Sequence, residues 1–277
     1  MASHPVGNAE DLPYSEWVDG IGKGRGPEVA IDEMLPIVHE ADELINFAFP
    51  DHILHNPACG LKRYILTTTN EQAKLYNDRI LNRVDGDGKT CFAADSIKGM
   101  EDPGFIPPAG MLEQLDYFAS QAPPGFPDHK LTIKPNAMFR LLKDISIGQQ
   151  LVKNGRVTVT QVGTRIVTVR VIPDRSLQAQ PDSEDVFLPR IPFTHQLPSG
   201  HTFSRRQFPL APAYATTIED CQAYDLDRVA IDLTRPVYAH GQLYTALSKI
   251  SNRTDGLVRL PPGKNTTKNV VYKELLL

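Results

Sequence analysis

The sequence predicts an α/β fold interrupted by a small β-barrel, and three observations carry that reading. A short apolar run, Tyr64-Ile65-Leu66-Thr67-Thr68, precedes a polar turn and a segment of helical apolar spacing, which together make an α/β unit. From Lys130 onward the pattern changes to short alternating strands separated by turns, as in a small barrel. After Arg205 the α/β pattern returns, with an apolar run over 228–233 and helical spacing over 241–250.

The remaining elements follow in chain order. Gly20-Ile21-Gly22-Lys23-Gly24-Arg25-Gly26-Pro27 is dense in loop formers, and the spacing over 35–48 predicts a helix. Between them, Val29-Ala30-Ile31 is short for a buried strand, so the following Asp32 and Glu33 read as a helix-initiating acidic pair. A second helix is predicted over 70–81, with Ala73, Tyr76 and Ile80 on one face. Gly86-Asp87-Gly88-Lys89-Thr90 imitates the end of a phosphate loop. However, Arg83 stands where that loop needs its first glycine, and Asp85 and Asp87 would oppose phosphate. A polar turn before a strand over 90–93 is the better reading. Residues 101–127, rich in proline and glycine, read as a connection around one short helix over 111–119. Strands are predicted over 131–133, 138–142, 156–162, 165–172 and 186–188. This gives lead-in structure over 1–60, an α/β domain from 61–128 and 205–277, and an inserted barrel over 129–204.

Composition narrows the class. At 41% hydrophobic and 22% charged residues the chain is globular, and its longest apolar runs fall well short of the ~20 residues of a membrane span. The start, Met1-Ala2-Ser3-His4-Pro5, is not a secretory signal, so an intracellular protein is expected. Cys59, Cys91 and Cys221 are few and far apart, which fits neither a disulfide framework nor a zinc site. The histidines show no HExxH spacing and there is no GxSxG elbow, which removes the protease and hydrolase classes. The net charge of -4 hides a division. Residues 1–60 hold eleven acids against Lys23 and Arg25, whereas 129–175 hold nine Lys or Arg against Asp144 and Asp174. A basic segment on a strand-rich module is what phosphate-backbone binding requires, and it is equally a solvated positive face.

Several separated strings, in the same order, resemble a known family. Ile65-Leu66-Thr67-Thr68-Thr69-Asn70-Glu71-Gln72, continued by Asn77-Asp78-Arg79-Ile80-Leu81, is similar to the motif that opens the second RecA-like domain of PIF and Helitron helicases. Leu151 to Thr160, with Asn154-Gly155 at its turn, resembles the hairpin of the family's small barrel. Arg190-Ile191-Pro192-Phe193 and Arg206-Gln207-Phe208-Pro209 resemble the strings that lead back to the core. The densest match is Asp232-Leu233-Thr234-Arg235-Pro236-Val237-Tyr238-Ala239-His240-Gly241-Gln242-Leu243-Tyr244-Thr245-Ala246-Leu247-Ser248-Lys249, which is similar to the last helicase motif throughout. Tyr14-Ser15-Glu16-Trp17 and Gly22-Lys23-Gly24-Arg25 resemble the linker of Helitron-type members.

The resemblance implies the second RecA-like domain of a DNA helicase with its inserted barrel, in an incomplete P-loop NTPase-type arrangement without the phosphate-loop domain. It implies single-stranded DNA as partner, contacted by Thr67, Thr68, Asn70, Lys153, Arg156, Thr217, Gln222 and His240. In the complete family enzyme ATP and magnesium are the cofactors, with Gln242 and Ala223 at nucleotide-binding positions and Lys249 at the position of the arginine that stabilises transferring phosphate. A lysine lacks the planar bidentate fork of arginine. Where the family reads roughly Thr-Ile-Asn-Lys-Ser-Gln-Gly, this chain reads Thr217-Ile218-Glu219-Asp220-Cys221-Gln222-Ala223, reversing one charge and removing a hydroxyl and a glycine. The expectation is a chain that keeps single-strand binding, binds neither ATP nor magnesium alone and is inactive alone. By family likeness it is nuclear, with a role in replication, repair, recombination or transposition. The alternatives are an inert mobile-element remnant, a protein-interaction module, or half of a split helicase whose ATP-binding RecA-like domain is a separate chain.

Overall fold

The computed structural model describes residues 11–97, 110–120, 123–172, 184–197, 201–222 and 224–275. The chain forms two compact units, one from 1–83 and 214–277 and the other from 84–213. The insertion is therefore longer than 129–204. It takes in the strands Lys89–Phe92 and Ala94–Ile97 before it and Leu210–Pro212 after it, because each pairs with strands of the insertion.

The first unit is built on a five-stranded sheet in the order Ala215–Thr217, Arg63–Thr67, Arg228–Asp232, Gly256–Arg259, Ile37–Val38, with every pairing parallel. Parallel sheets bury both faces, so their strands read as continuous apolar runs. Accordingly, Tyr64, Ile65 and Leu66, and Val229, Ala230 and Ile231, are all buried. Helices Ala41–Ala48 and Asn70–Arg83 pack against the sheet. Helices Leu12–Gly22 and Gln242–Leu247 share a core with Tyr64, Leu66, Val229, Ile231 and Val258. Asn77 secures the chain where it re-enters from the insertion. Its Oδ1 accepts from Tyr214 N at 3.0 Å and Ala215 N at 2.9 Å, and its Nδ2 donates to Ala215 O at 2.9 Å.

Three lead-in expectations are corrected. The glycines at 20 and 22 lie in helix Leu12–Gly22, which starts at Asp11, whose Oδ1 accepts from Tyr14 N at 3.4 Å. Gly22 is there for closeness: a Cβ would stand 2.8 Å from Tyr244 Cδ2. The helix expected over 35–48 is confined to Ala41–Ala48, because Pro36 and the β-branched Ile37 and Val38 form the sheet's edge, with Pro36 O accepting from Val258 N at 3.1 Å. Asp32 and Glu33 start no helix. They lie in a turn after strand Glu28–Ala30, which pairs antiparallel with Thr266–Lys268, and Asp32 Oδ2 accepts from Asn265 Nδ2 at 2.7 Å.

Among the described residues the second unit is antiparallel, and its expected barrel is made of three sheets. Five strands run in the order Val186–Pro189, Ile166–Val171, Arg156–Val162, Met138–Leu141, Leu210–Pro212. Three more run Ile191–Gln196, Thr202–Gln207, Ala94–Ile97, and Lys89–Phe92 pairs with Lys130–Ile133. Gly86 to Gly88 is a turn into Lys89–Phe92, as its residues require. The hairpin Ile191–Gln196 with Thr202–Gln207 was not anticipated, because Pro192 and exposed polar residues break its alternation. Its buried anchor is ionic. Arg205, 0% exposed, donates from Nε to Asp95 Oδ1 at 2.9 Å and from Nη2 to Asp95 Oδ2 at 2.8 Å, while His129 Nδ1 lies 2.9 Å from Asp95 Oδ2.

Candidate nucleic-acid interface

In an open α/β sheet, ligands collect at the carboxyl ends of the strands where neighbouring connections diverge. Here that point lies between Arg63–Thr67, whose chain leaves toward Ala215–Thr217, and Arg228–Asp232, whose chain leaves toward Gly256–Arg259. Thr217, Thr67, Asp232 and Arg259 are successive cross-sheet partners along these ends. The row is hydroxyl, hydroxyl, carboxylate and guanidinium.

A bonded network fixes this edge. Asp232 is 1% exposed, and Oδ1 accepts from Thr234 N at 2.8 Å and Thr234 Oγ1 at 2.6 Å. Its Oδ2 accepts from Tyr76 OH at 2.7 Å and Arg259 Nη1 at 3.1 Å. Gln72 Nε2 donates to Thr234 Oγ1 at 3.1 Å, and Gln72 Oε1 accepts from Thr68 Oγ1 at 3.0 Å and Thr69 Oγ1 at 3.1 Å. Thr69 Oγ1 also accepts from Gln72 N at 3.3 Å, so Thr69 and Gln72 form the opening of helix Asn70–Arg83 in capping-box spacing. Arg235 and Glu71 pair at 2.7 Å on the exposed side.

The expected DNA-contacting residues divide into exposed and internal groups. Asn70, Gln222, His240 and Lys153 are exposed. Thr67 and Thr68 are buried, and their hydroxyls are occupied: Thr67 Oγ1 donates to Thr69 O at 2.9 Å and Thr216 O at 3.3 Å, and Thr68 Oγ1 to Gln72 Oε1 and, at 3.3 Å, to Arg235 O. They shape the edge rather than offer it, and Thr217 is buried beside them. Arg156 is also an internal residue, 6% exposed, with Nη2 donating to Ala213 O at 2.6 Å. The basic stretch is partly consumed in the same way: Arg170 pairs with Asp185 at 2.9 Å, and Lys134 Nζ donates to Val84 O at 3.0 Å. Lys153 and Arg156 lie in the second unit and the other candidates in the first.

A second cluster joins residues 218–222 and Tyr224 to the segment 238–249. Gln242 is buried, and both ends of its amide are used. Its Oε1 accepts from Tyr238 N at 2.9 Å and Ala239 N at 3.4 Å, and its Nε2 donates to Glu219 Oε1 at 2.5 Å. Lys249 Nζ donates to Gln222 O at 2.5 Å and Tyr224 O at 3.0 Å. Ala223 lies outside the described residues. Cys221 is buried with Sγ donating to Ile218 O at 3.0 Å, and burial pushes its thiol up to about 12. These groups do not fit a polyphosphate: the amide and ammonium that would meet it are already bonded, and the Glu219 carboxylate occupies the amide's donor. His240 accepts from Tyr272 N at 2.9 Å through Nδ1 and stacks on the Tyr272 ring at 5.6 Å.

Sequence reading missed Gln72, Tyr76, Asp232, Thr234 and Arg259 as one network. A signal existed for part of it, in the Thr69-x-x-Gln72 spacing and in an acid closing an apolar strand at Asp232. Arg259 carries no such sign, because its partner is 27 positions away.

No family model matches the chain. By sequence it is 30% identical over 187 residues to the ATP-dependent DNA helicase PIF1 of Rattus norvegicus, covering 66% of this chain and 25% of that protein. By structure it is similar to the Pif1 helicase of Candida albicans, with a TM-score of 0.61 at 19% identity, covering 96% of this chain and 57% of that one. It is also similar to the Pif1 helicase from Bacteroides in complex with ADP-AlF3 and ssDNA, with a TM-score of 0.60 at 17% identity, covering 95% and 51%. Fold and likeness define a RecA-like helicase domain carrying an inserted antiparallel unit. The chain belongs to the PIF1-type DNA helicases, and it spans about a quarter of the length of the curated relatives it matches. Among the described residues no helix is long and apolar enough to cross a membrane.

Proposed function

We propose that this chain binds single-stranded DNA through the carboxyl edge of its parallel sheet and through the exposed Lys153 of its inserted unit, and does not by itself bind ATP or magnesium or hydrolyse ATP. The observation that carries the reading is Asn70, exposed at the start of a long helix at the switch point, on an edge that the buried Asp232 network shapes. The exposed Asn70 amide and the N–H groups at the start of helix Asn70–Arg83 suit phosphate oxygens of one strand. The solved Bacteroides relative was crystallised with ssDNA, which supports the same partner. Against hydrolysis stand Lys249, tied to two carbonyls, and Gln242, tied to Glu219. A complete enzyme of this type needs an ATP-binding RecA-like domain, supplied elsewhere. Within that reading the chain serves nuclear DNA replication, repair or recombination, or Helitron-type transposition.

The test is fluorescence anisotropy of a labelled single-stranded oligonucleotide across a salt series, for the natural chain, Asn70→Asp and Lys153→Glu. Binding whose logarithm falls with log salt by about 0.7 per phosphate neutralised, and weakens in both variants, is the expected result. Lys153→Glu is the informative charge reversal for the inserted unit, because Arg156→Glu would bury an unpaired carboxylate. No binding at low salt overturns the proposal and leaves a protein-interaction module or an inert mobile-element remnant. Release of phosphate from ATP by the chain alone would overturn the second half.

A further inference from the structure

The inserted unit carries an exposed phenyl ring on a sheet face that is otherwise polar and basic. Along Lys89–Phe92 and Ala94–Ile97 the side chains alternate as a strand requires. Cys91 and Ile97 point inward and are buried, and Asp95 turns the same way to meet Arg205. Thr90, Phe92, Ala94 and Ser96 take the other face and are exposed, Phe92 at 58%. Strand pairing sets Thr132 opposite Thr90, Lys130 opposite Phe92 and Arg206 opposite Ala94.

The ring stands on a fixed backbone. Phe92 O accepts from Arg190 Nη1 at 2.6 Å, Ala93 N donates to His129 O at 2.8 Å, and Gln207 Nε2 donates to Cys91 O at 2.9 Å. The His129 ring meets it edge-on, with centroids 6.2 Å apart. Two arginines of this region are spent on the fold: Arg205 on Asp95, and Arg190 on Phe92 O and the Phe208 ring at 4.9 Å. Lys130 and Arg206 are not. Both are exposed, and among the described residues neither takes part in an ion pair. No carboxylate stands on this face among the described residues.

These neighbours decide what can cover the ring. A protein hot spot needs a surround that shuts water out, and here the surround is Thr90, Ala94 and Lys130. A nucleobase needs only one flat ring to stack on, with cations near it for the phosphates. A duplex keeps its bases stacked on one another, so the base comes from a single strand. Ala94, which faces Arg206, lies about 7 Å along the strand from Phe92, the rise of about two stacked nucleotides, so one strand can meet the ring and both cations.

We infer that the face of Phe92, Lys130 and Arg206 is a second site for single-stranded nucleic acid, in which a base stacks on the Phe92 ring while Lys130 and Arg206 hold the adjoining phosphates. It belongs to the inserted unit and shares no residue with the edge at Asn70, so either site can fail without the other.

The experiment compares, by anisotropy at low salt, a labelled oligothymidylate with an abasic strand of the same length, for the natural chain, Phe92→Ala, Phe92→Trp, Lys130→Ala/Arg206→Ala and Asn70→Asp. All the substituted side chains are exposed, so each variant should fold. Phe92→Ala should weaken binding of the base-bearing strand by about five- to a hundredfold and leave the abasic strand within about twofold, while Phe92→Trp keeps the natural affinity. Lys130→Ala/Arg206→Ala should weaken both strands and reduce the salt slope by about 1.4, or about 0.7 for each phosphate released. A Phe92→Ala chain that binds the base-bearing strand as the natural chain does, or loses both strands equally, overturns the stacking site. If Asn70→Asp still weakens binding in that case, the edge reading stands alone. Loss in Phe92→Ala with none in Asn70→Asp keeps this site and removes the edge. Binding to neither strand by the natural chain overturns both.

Discussion

The Tyr76 hydroxyl meets the Asp232 carboxylate at 2.7 Å in the interior of the parallel-sheet unit, joining helix Asn70–Arg83 to the end of the central strand. Arg259 Nη1 reaches both, at 3.2 Å and 3.1 Å, so one guanidinium ties the next strand to the same pair. Because Asp232 also accepts twice from Thr234, the chain after the strand turns back over Gln72 instead of running into solvent. The edge proposed to meet DNA is therefore shaped by buried polar bonds.

Tyr76→Phe removes one donor from a carboxylate that keeps three, and is expected to cost about 1–2 kcal/mol. Asp232→Ala leaves Tyr76, Thr234 and Arg259 without their acceptor and should cost more, about 3–5 kcal/mol. Chemical denaturation of the three proteins checks the order. An Asp232→Ala loss no larger than that of Tyr76→Phe would show that the network adds nothing beyond one hydrogen bond.

Alkaline pH offers a second measurement on the same residue. Burial raises the Tyr76 pKa first, with Asp232 adding to it, and burial raises that of Tyr14, whose hydroxyl donates to Leu247 O at 2.9 Å. A group whose folded pKa is raised loses its proton first in the unfolded chain. The stability it contributes is present below the unfolded value of about 10 and drains away as pH rises beyond it. Unfolding midpoints should fall above about pH 10. The fall should be shallower in Tyr14→Phe/Tyr76→Phe, which has fewer such protons to lose.

The Asp95–Arg205 pair predicts the opposite limb. Burial pushes the Asp95 carboxyl up, but hydrogen bonds from Arg205 and His129 outweigh it and hold the pKa below the usual carboxylate range. That stability is present above about pH 4 and is lost as pH falls through the lower folded value. Arg205→Met leaves Asp95 buried without its bidentate partner and is expected to destabilise the inserted unit by about 3–5 kcal/mol. Urea unfolding at pH 7 and pH 3 tests both points: the gap between natural chain and variant should narrow at the lower pH.

What could be read from the sequence follows from the range of the forces involved. Strand Arg63–Thr67, helix Asn70–Arg83 and the barrel strands announced themselves because their apolar periods are local. The turn at Asn154-Gly155 did so by chemistry, since Asn154 sits at φ 66 and a Cβ on Gly155 would meet Val152 O at 2.8 Å. Edge strand Ile37–Val38 was hidden, because two residues have no period and only their partner Gly256–Arg259 makes them a strand. Roles were less legible than elements. Thr67, Thr68 and Arg156 carry the residue types that bind phosphate, but burial had already given their donors to Thr69, Gln72 and Ala213. The resemblance placed them at the site, and long-range packing decided which way they face.

Lys249 bears on what holds the segment from Ile218 to Gln222 and Tyr224 in place. Its ammonium donates to the carbonyls of Gln222 and Tyr224, and it lowers the Cys221 thiol pKa against a larger rise from burial. A lysine serving a phosphate could be removed without harm to the fold, whereas one that ties Gln222 and Tyr224 in place could not. Lys249→Met should therefore lower stability by about 1.5–3 kcal/mol, the range of hydrogen bonds to a charged group. It should also open this segment locally, which thiol labelling reads without denaturant. In the natural chain exposed Cys59 should react first, with Cys91 and Cys221 protected, since reaction requires a thiolate that can be reached. In Lys249→Met, Cys221 should become reactive ahead of Cys91, as mass spectrometry of the labelled peptides would show. Unchanged stability together with a still-protected Cys221 would mean that the segment holds its shape without Lys249, and that the two carbonyl contacts are incidental.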